Sequence, residues 1–151
     1  MTSRVHIPIQ WGTILRRHGL RGTTPRLAVL DTLWHHPHSS VEQLLDLTKP
    51  SVRSLSFQTV YNIVHDLASI HLVRSLELPG CAGLYEIDTG DNHHHVVCTS
   101  CQRIADVECA VGNTPCLEPA NDHGMIIEVA DVIYRGICAD CRAQANQSST
   151  I

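Results

Sequence analysis

Two Cys-x-x-Cys pairs, Cys98/Cys101 and Cys138/Cys141, stand 36 residues apart in the second half of the chain. No other feature restricts the fold so tightly, because four thiolates gathered round one ion bring two distant stretches of backbone to a common point. Paired knuckles of this kind hold a tetrahedral Zn2+. A redox dithiol is the other use of such a pair, but neither pair has the strand-to-helix setting of a thioredoxin motif. A module of about 60 residues has little core, so zinc binding worth on the order of 10–16 kcal/mol decides whether it folds.

The charge distribution separates that module from what precedes it. A net charge of -4 conceals +3 over residues 1–78, eight Lys/Arg against five Asp/Glu, and -7 over residues 79–151, three against ten. A basic half joined to an acidic half implies one part that meets a polyanion and one that holds cations. No segment approaches the roughly 20 apolar residues of a membrane span, and "MTSRVHIPIQWG" lacks a signal-peptide core. A cytoplasmic protein with no membrane partner is therefore expected. In a reducing cytosol, seven cysteines are metal ligands or redox thiols rather than a disulfide framework.

The basic half is patterned as a row of short helices. Trp11, Ile14 and Leu15 fall at helical spacing, with Gly19 as a stop. "TTPRLAVLDTLWHHP" offers a threonine cap, Pro25 in the first turn and a stripe of Leu27, Leu30, Leu33 and Trp34, and Pro37 ends it. In "SSVEQLLDL", Ser40 and Gln43 have capping-box spacing, with Val41, Leu44 and Leu45 buried. "SFQTVYNIVHDLASI" is capped by Ser56 and predicted to bury Phe57, Val60, Val64 and Leu67. That leaves Gln58, Thr59, Tyr61, Asn62 and His65 on the outer face, where amides can read base edges and hydroxyls can reach phosphates. "HLVRSLEL" and "GLYEID" then read as two strands round the turn "PGCAG". Helices followed by a hairpin make a winged helix, whose recognition helix enters the major groove of double-stranded DNA.

In the acidic half, "HHHVVC" and "RIADVEC" read as paired strands. Alternation sets His93 and His95 on one face, with His94 and Cys98 on the other, and puts Asp106 and Glu108 together. Imidazole and carboxylate donors without thiolate suit Fe2+, Mn2+ or Zn2+ and separate them weakly. The class is therefore α+β, an N-terminal winged helix followed by a small αβ module with a four-cysteine structural zinc site. The expected boundaries are 1–88 for DNA binding, 89–143 for the metal-binding module, and 144–151 for a disordered tail.

Together "GLRGTTPRLAVLDTL", "SFQTVYNIVHDL", "NHHHVVCTSC", "RIADVE" and "VIYRGICADC" resemble the ferric uptake regulator family of metal-dependent repressors, over essentially the whole chain. The resemblance implies that 89–143 is a small αβ dimerisation domain and that the protein is a homodimer on palindromic operator DNA, with no small-molecule substrate and no enzymatic activity. It implies that Cys98, Cys101, Cys138 and Cys141 hold structural Zn2+. It further implies a regulatory site for Fe2+ or Mn2+, with Zn2+ possible in vitro, formed by His36, Glu86, His93, His95 and Asp106 at the hinge between domains. Asp88 is the rival of Glu86. Arg21, Tyr61 and Asn62 match DNA-contacting positions of the family, and Thr59 joins them on the outer face.

"GDNHHHVVC" and "ADVECAVG" are similar to the actinobacterial branch encoded beside catalase-peroxidase genes, and Asp106 matches the peroxide-sensing branch. Peroxide sensing through oxidation of His36 or His93 is the expectation that follows. Iron- or zinc-responsive uptake control is its alternative, and a zinc-stabilised interaction module is a more distant one. His94, Glu108 and His123 stay unassigned. "VGNTPCLEPANDHG" allows only a short helix. Cys81 is incidental in the wing turn, while Cys109 and Cys116 are either packing thiols or a redox pair.

Overall fold

A computed structural model describes residues 10–78, 82–91, 93–108, 119–127, 130 and 132–148. The chain divides into two compact units, residues 1–89 and 90–151, against the expected boundary between 88 and 89.

The first unit opens with α1 (Trp11–Arg17), which buries Trp11 and Leu15. Gly19 takes a positive φ of 74°. The Leu20 and Gly19 amides then donate back to the carbonyls of Leu15 and Arg16, closing the helix end as a Schellman turn. Helix α2 (Thr24–His35) starts on Pro25, but Thr23 at its N-cap makes no side-chain cap, so the pre-set φ of proline carries the start. Helix α3 (Val41–Thr48) has the reciprocal Ser40/Gln43 capping box. In α4 (Phe57–Ser69) the Ser56 hydroxyl accepts from the Thr59 amide.

One expected core residue of α4 is misplaced by sequence: Phe57 is exposed and Ile63 is buried with Val60, Val64 and Leu67. Position 57 is the first helical residue and overhangs the core, whereas Ile63 sits three residues after Val60 and four before Leu67. Leu15, Val29, Leu30, Leu33, Leu44 and these residues form one core. A hydroxyl pair, Thr48 to Thr32 at 3.0 Å, joins α3 to α2 inside it. The hairpin β2 (Val73–Leu76) and β3 (Leu84–Ile87) is extended by β1 (Ser39–Ser40) in the antiparallel order β1-β3-β2. This is a winged helix, and its two-residue first strand is too short to stand out in sequence.

In the second unit β4 (His93–Cys98) is the central strand. It pairs antiparallel with β5 (Ile104–Glu108) and parallel with β6 (Ile133–Gly136). Helix α5 (Ala139–Ser148) corrects the expected tail. Residues 144–148 continue a helix rather than hanging loose, because Ala, Arg and Gln favour helix even when no apolar stripe marks it. The expected short helix within 111–124, and Cys81, Cys109 and Cys116, lie outside the described residues, save that 119–124 carries no helix. Among the described residues no helix is long and apolar enough to cross a membrane.

Candidate functional site

Strand β4 ends on Cys98, a tight turn with Gln102 at φ 61° brings Cys101 back, and β6 runs into Cys138 with Cys141 in the first turn of α5. The two knuckles are stitched by backbone, Thr99 N–H to the Gly136 carbonyl at 2.8 Å. All four Sγ atoms lie within 4.8 Å of one another. The Cys101–Cys138 separation of 3.8 Å matches the edge of about 3.8 Å of a tetrahedron with Zn–S bonds of about 2.3 Å. The donor set fits Zn2+.

The thiols are electrostatically unequal. Backbone amides of Cys138 and Cys101 point at Cys98 and lower it to about 6, the first of them at 3.3 Å from the sulfur. At Cys141 the Ser100 hydroxyl pulls the value down but is outweighed by the neighbouring Cys138 and Cys101 sulfurs and by burial, which push it up to about 12. A dication removes that conflict by favouring all four thiolates.

Imidazole and carboxylate donors are paired in each unit. In the first, His38 Nε2 lies 2.9 Å from Glu86 Oε2, and the Glu86 residue is 3% exposed. His38 reaches this position from a left-handed turn, φ 59°, just after α2. In the second, His95 is directly opposite Asp106 in the β4–β5 register, with Nε2 to Oδ1 at 3.7 Å. His93 packs edge-on to His95 at 4.9 Å between ring centroids, and its Nδ1 meets Asp91 at 2.9 Å.

The outer face of α4 is polar and ordered. Gln58 Nε2 donates to Asn62 Oδ1 at 2.8 Å, and Tyr61 stacks on His65. Thr59 is half-buried, its hydroxyl 2.8 Å from that of Ser56, so it braces the helix start instead of projecting. Arg21 is exposed, and its carbonyl accepts from Arg26, whose other Nη is 2.7 Å from Asp66 on α4. Arg26 thereby ties the Arg21 loop to α4.

The model of the ferric uptake regulator family matches residues 17–134. The chain belongs to the ferric uptake regulator family. It is similar to "Transcriptional regulator FurA" of Mycobacterium tuberculosis, 44% identical over 84% of this chain and 86% of that one. It is similar also to "Ferric uptake regulation protein 1" of Mycolicibacterium fortuitum, 46% identical over 80% of this chain and 75% of that protein. Among solved structures, the Campylobacter jejuni peroxide stress regulator superposes with a TM-score of 0.65 at 27% identity, covering 88% of this chain and 100% of that one. The protein is a metal-responsive transcription regulator and not an enzyme. Regulators of the ferric uptake family bind DNA operators and are generally dimeric.

One of the expected donors lies apart from the others. His36 is the exposed C-cap of α2, while His38, two residues on, stands against Glu86. The helix end points His36 outward and the following left-handed turn swings His38 back over β3. Asp88, the rival of Glu86, is instead 3.3 Å from Arg74. Sequence reasoning also missed Asp91, two residues before His93. His94 is buried on the face shared with Cys98, its ring edge toward Tyr134 at 6.4 Å. His94, Glu108 and His123 join no cluster of metal donors among the described residues.

Proposed function

We propose that this regulator represses transcription as a cytoplasmic homodimer on palindromic operator DNA and releases that DNA when peroxide damages its regulatory metal site. The observation that carries this reading is the pair of preassembled donor sets, His38 with Glu86 in the DNA-binding unit and His95 with Asp106 in the other. Together with His93 they would hold Fe2+ or Mn2+, while Cys98, Cys101, Cys138 and Cys141 would hold structural Zn2+. The five regulatory donors can serve one ion in only one relative orientation of the two units. Fixing that orientation fixes the spacing between the two recognition helices of a dimer, which couples ion binding to operator affinity. Tyr61, Asn62 and Gln58 read bases and Arg21 approaches the backbone and minor groove. The exposed apolar pair Val96 and Tyr134, register partners on adjacent strands, supports covering of this sheet face by a second copy.

A ferrous ion held by these donors would lend one electron to cleave hydrogen peroxide and would regain one from the imidazole that the resulting radical attacks. The net change is insertion of one peroxide oxygen into an imidazole C–H of His38 or His93, with the other oxygen leaving as water. An oxidised imidazole donates poorly, so the donor set and the operator complex are lost. Asp106 as the last carboxylate and the likeness to a peroxide stress regulator support this reading. Iron-responsive uptake control is the second reading, favoured by the ferric uptake name of a 46% identical relative. Mass spectrometry of iron-loaded protein after peroxide separates them. Oxygen on His38 or His93 with loss of operator binding is expected. Unmodified histidines, with repression following iron level alone, would give the iron-responsive reading.

A further inference from the structure

The two oxygens of the Glu86 carboxylate face partners of different kinds, an imidazole and a guanidinium. Its Oε2 faces His38 at 2.9 Å, the side on which a metal ion would be shared. Its Oε1 faces Arg74 Nε at 3.7 Å. Arg74 sits directly opposite Glu86 in the β2–β3 ladder, and its Nη2 reaches Asp88 Oδ1 at 3.3 Å. The Arg74 side chain is 18% exposed and that of Glu86 4%. A carboxylate this buried is costly without a counterion, and guanidinium stays charged at every accessible pH. Arg74 therefore supplies permanent positive charge where the regulatory ion must bring its own.

Resting on the regulatory-site reading above, the geometry points to Arg74 as a built-in competitor of the divalent ion, a positioning residue that sets the metal concentration at which the regulator responds. A dication that takes Glu86 shares the carboxylate with a fixed cation at close range and low exposure, where like charges repel strongly. The same guanidinium keeps the Glu86 carboxylate aligned before the ion arrives. Affinity is lowered while the site stays ready. Asp88 moderates the effect by drawing part of the guanidinium's charge away from Glu86.

The test measures Mn2+ binding to full-length, zinc-loaded protein by loss of the free-ion electron paramagnetic resonance signal. Arg74→Gln and Arg74→Met both remove the charge. Each is expected to tighten Mn2+ binding, within the roughly 5- to 150-fold range of couplings between neighbouring sites. Arg74→Lys restores the charge and should return affinity to within a few-fold of the native value. A merely structural role predicts the reverse, because a displaced Glu86 binds worse. Unchanged or weakened binding in the Gln variant overturns the proposal, and that variant decides if Met loses the helical circular dichroism signal. His38→Ala, measured alongside, tests the underlying site. If it leaves Mn2+ binding intact, the regulatory-site reading itself fails. If it weakens binding while the Arg74 variants do not tighten it, only the competitor role fails.

Discussion

Replacing His38 and His36 one at a time separates two neighbouring histidines that the chain offers for one role. The His38 side chain is 11% exposed with its Nε2 2.9 Å from Glu86, whereas His36 caps α2 in solvent. A four-donor structural zinc site is worth about 10–16 kcal/mol, or about 2.5–4 kcal/mol per donor. Manganese with mixed imidazole and carboxylate donors binds more weakly, so His38→Ala should cost about 2–3 kcal/mol, roughly 30- to 150-fold in affinity. His36→Ala should change affinity less than about threefold, the scale of a surface substitution. Mn2+ titration followed by electron paramagnetic resonance gives both constants, and zinc content checks that the thiolate site is untouched. Operator binding should follow, with Mn2+-dependent affinity lost in the first variant and kept in the second. Equal losses, or the greater loss at His36, would refute the assignment made from the left-handed turn.

Three more outcomes are expected. Chelation strong enough to strip the thiolate site should unfold residues 90–151, seen as loss of strand signal by circular dichroism, while unit 1 keeps its helices; retained strand structure would remove zinc from the folding of this unit. Zinc binding to the stripped, unfolded unit should release about four protons at pH 5 and about three at pH 8, because the four thiols of an unfolded chain titrate at about 8.5. Calorimetry in buffers of different ionisation enthalpy counts those protons, and a release well below these values would refute ligation by four thiolates. Asn62→Ala should relax an adenine preference by about 1–3 kcal/mol at one operator position, since the Gln58–Asn62 hydrogen bond leaves an amide donor and an acceptor facing outward as adenine requires. Binding to duplexes selected from a random library, with A replaced by G position by position, measures it.

What could be read in advance was what local chemistry decides. The Ser40/Gln43 capping box needs only its own four residues, and the Cys-x-x-Cys pairs need only their spacing. Alternation likewise set His93 with His95 and Asp106 with Glu108, while the register that puts His95 opposite Asp106 came only with the structure. What escaped depends on backbone turns and distant pairing. His38 over His36 follows from a φ of 59° that nothing in "HHPHSS" announces. Strand β1 is two serines whose only reason to be extended is β3, more than forty residues away. The end of α5, residues 144–148, reads as part of a tail because its polar residues lack a stripe, although their propensity favours helix. Phe57 was assigned inward by periodicity that cannot see where the core ends.

The six residues of β4 join matters that a cell handles separately. His95 and Cys98 are three residues apart on one strand, a rise of about 10 Å, so the register that sets His95 against Asp106 is anchored at its far end by the thiolate knuckle. On the proposed assignment of the two sites, loading would be hierarchical: the thiophilic ion would arrive first, and the second ion would find an aligned donor pair only afterwards. Zinc supply would then be a checkpoint on assembly, and a zinc-starved cell would accumulate chains deaf to the second metal however abundant it was.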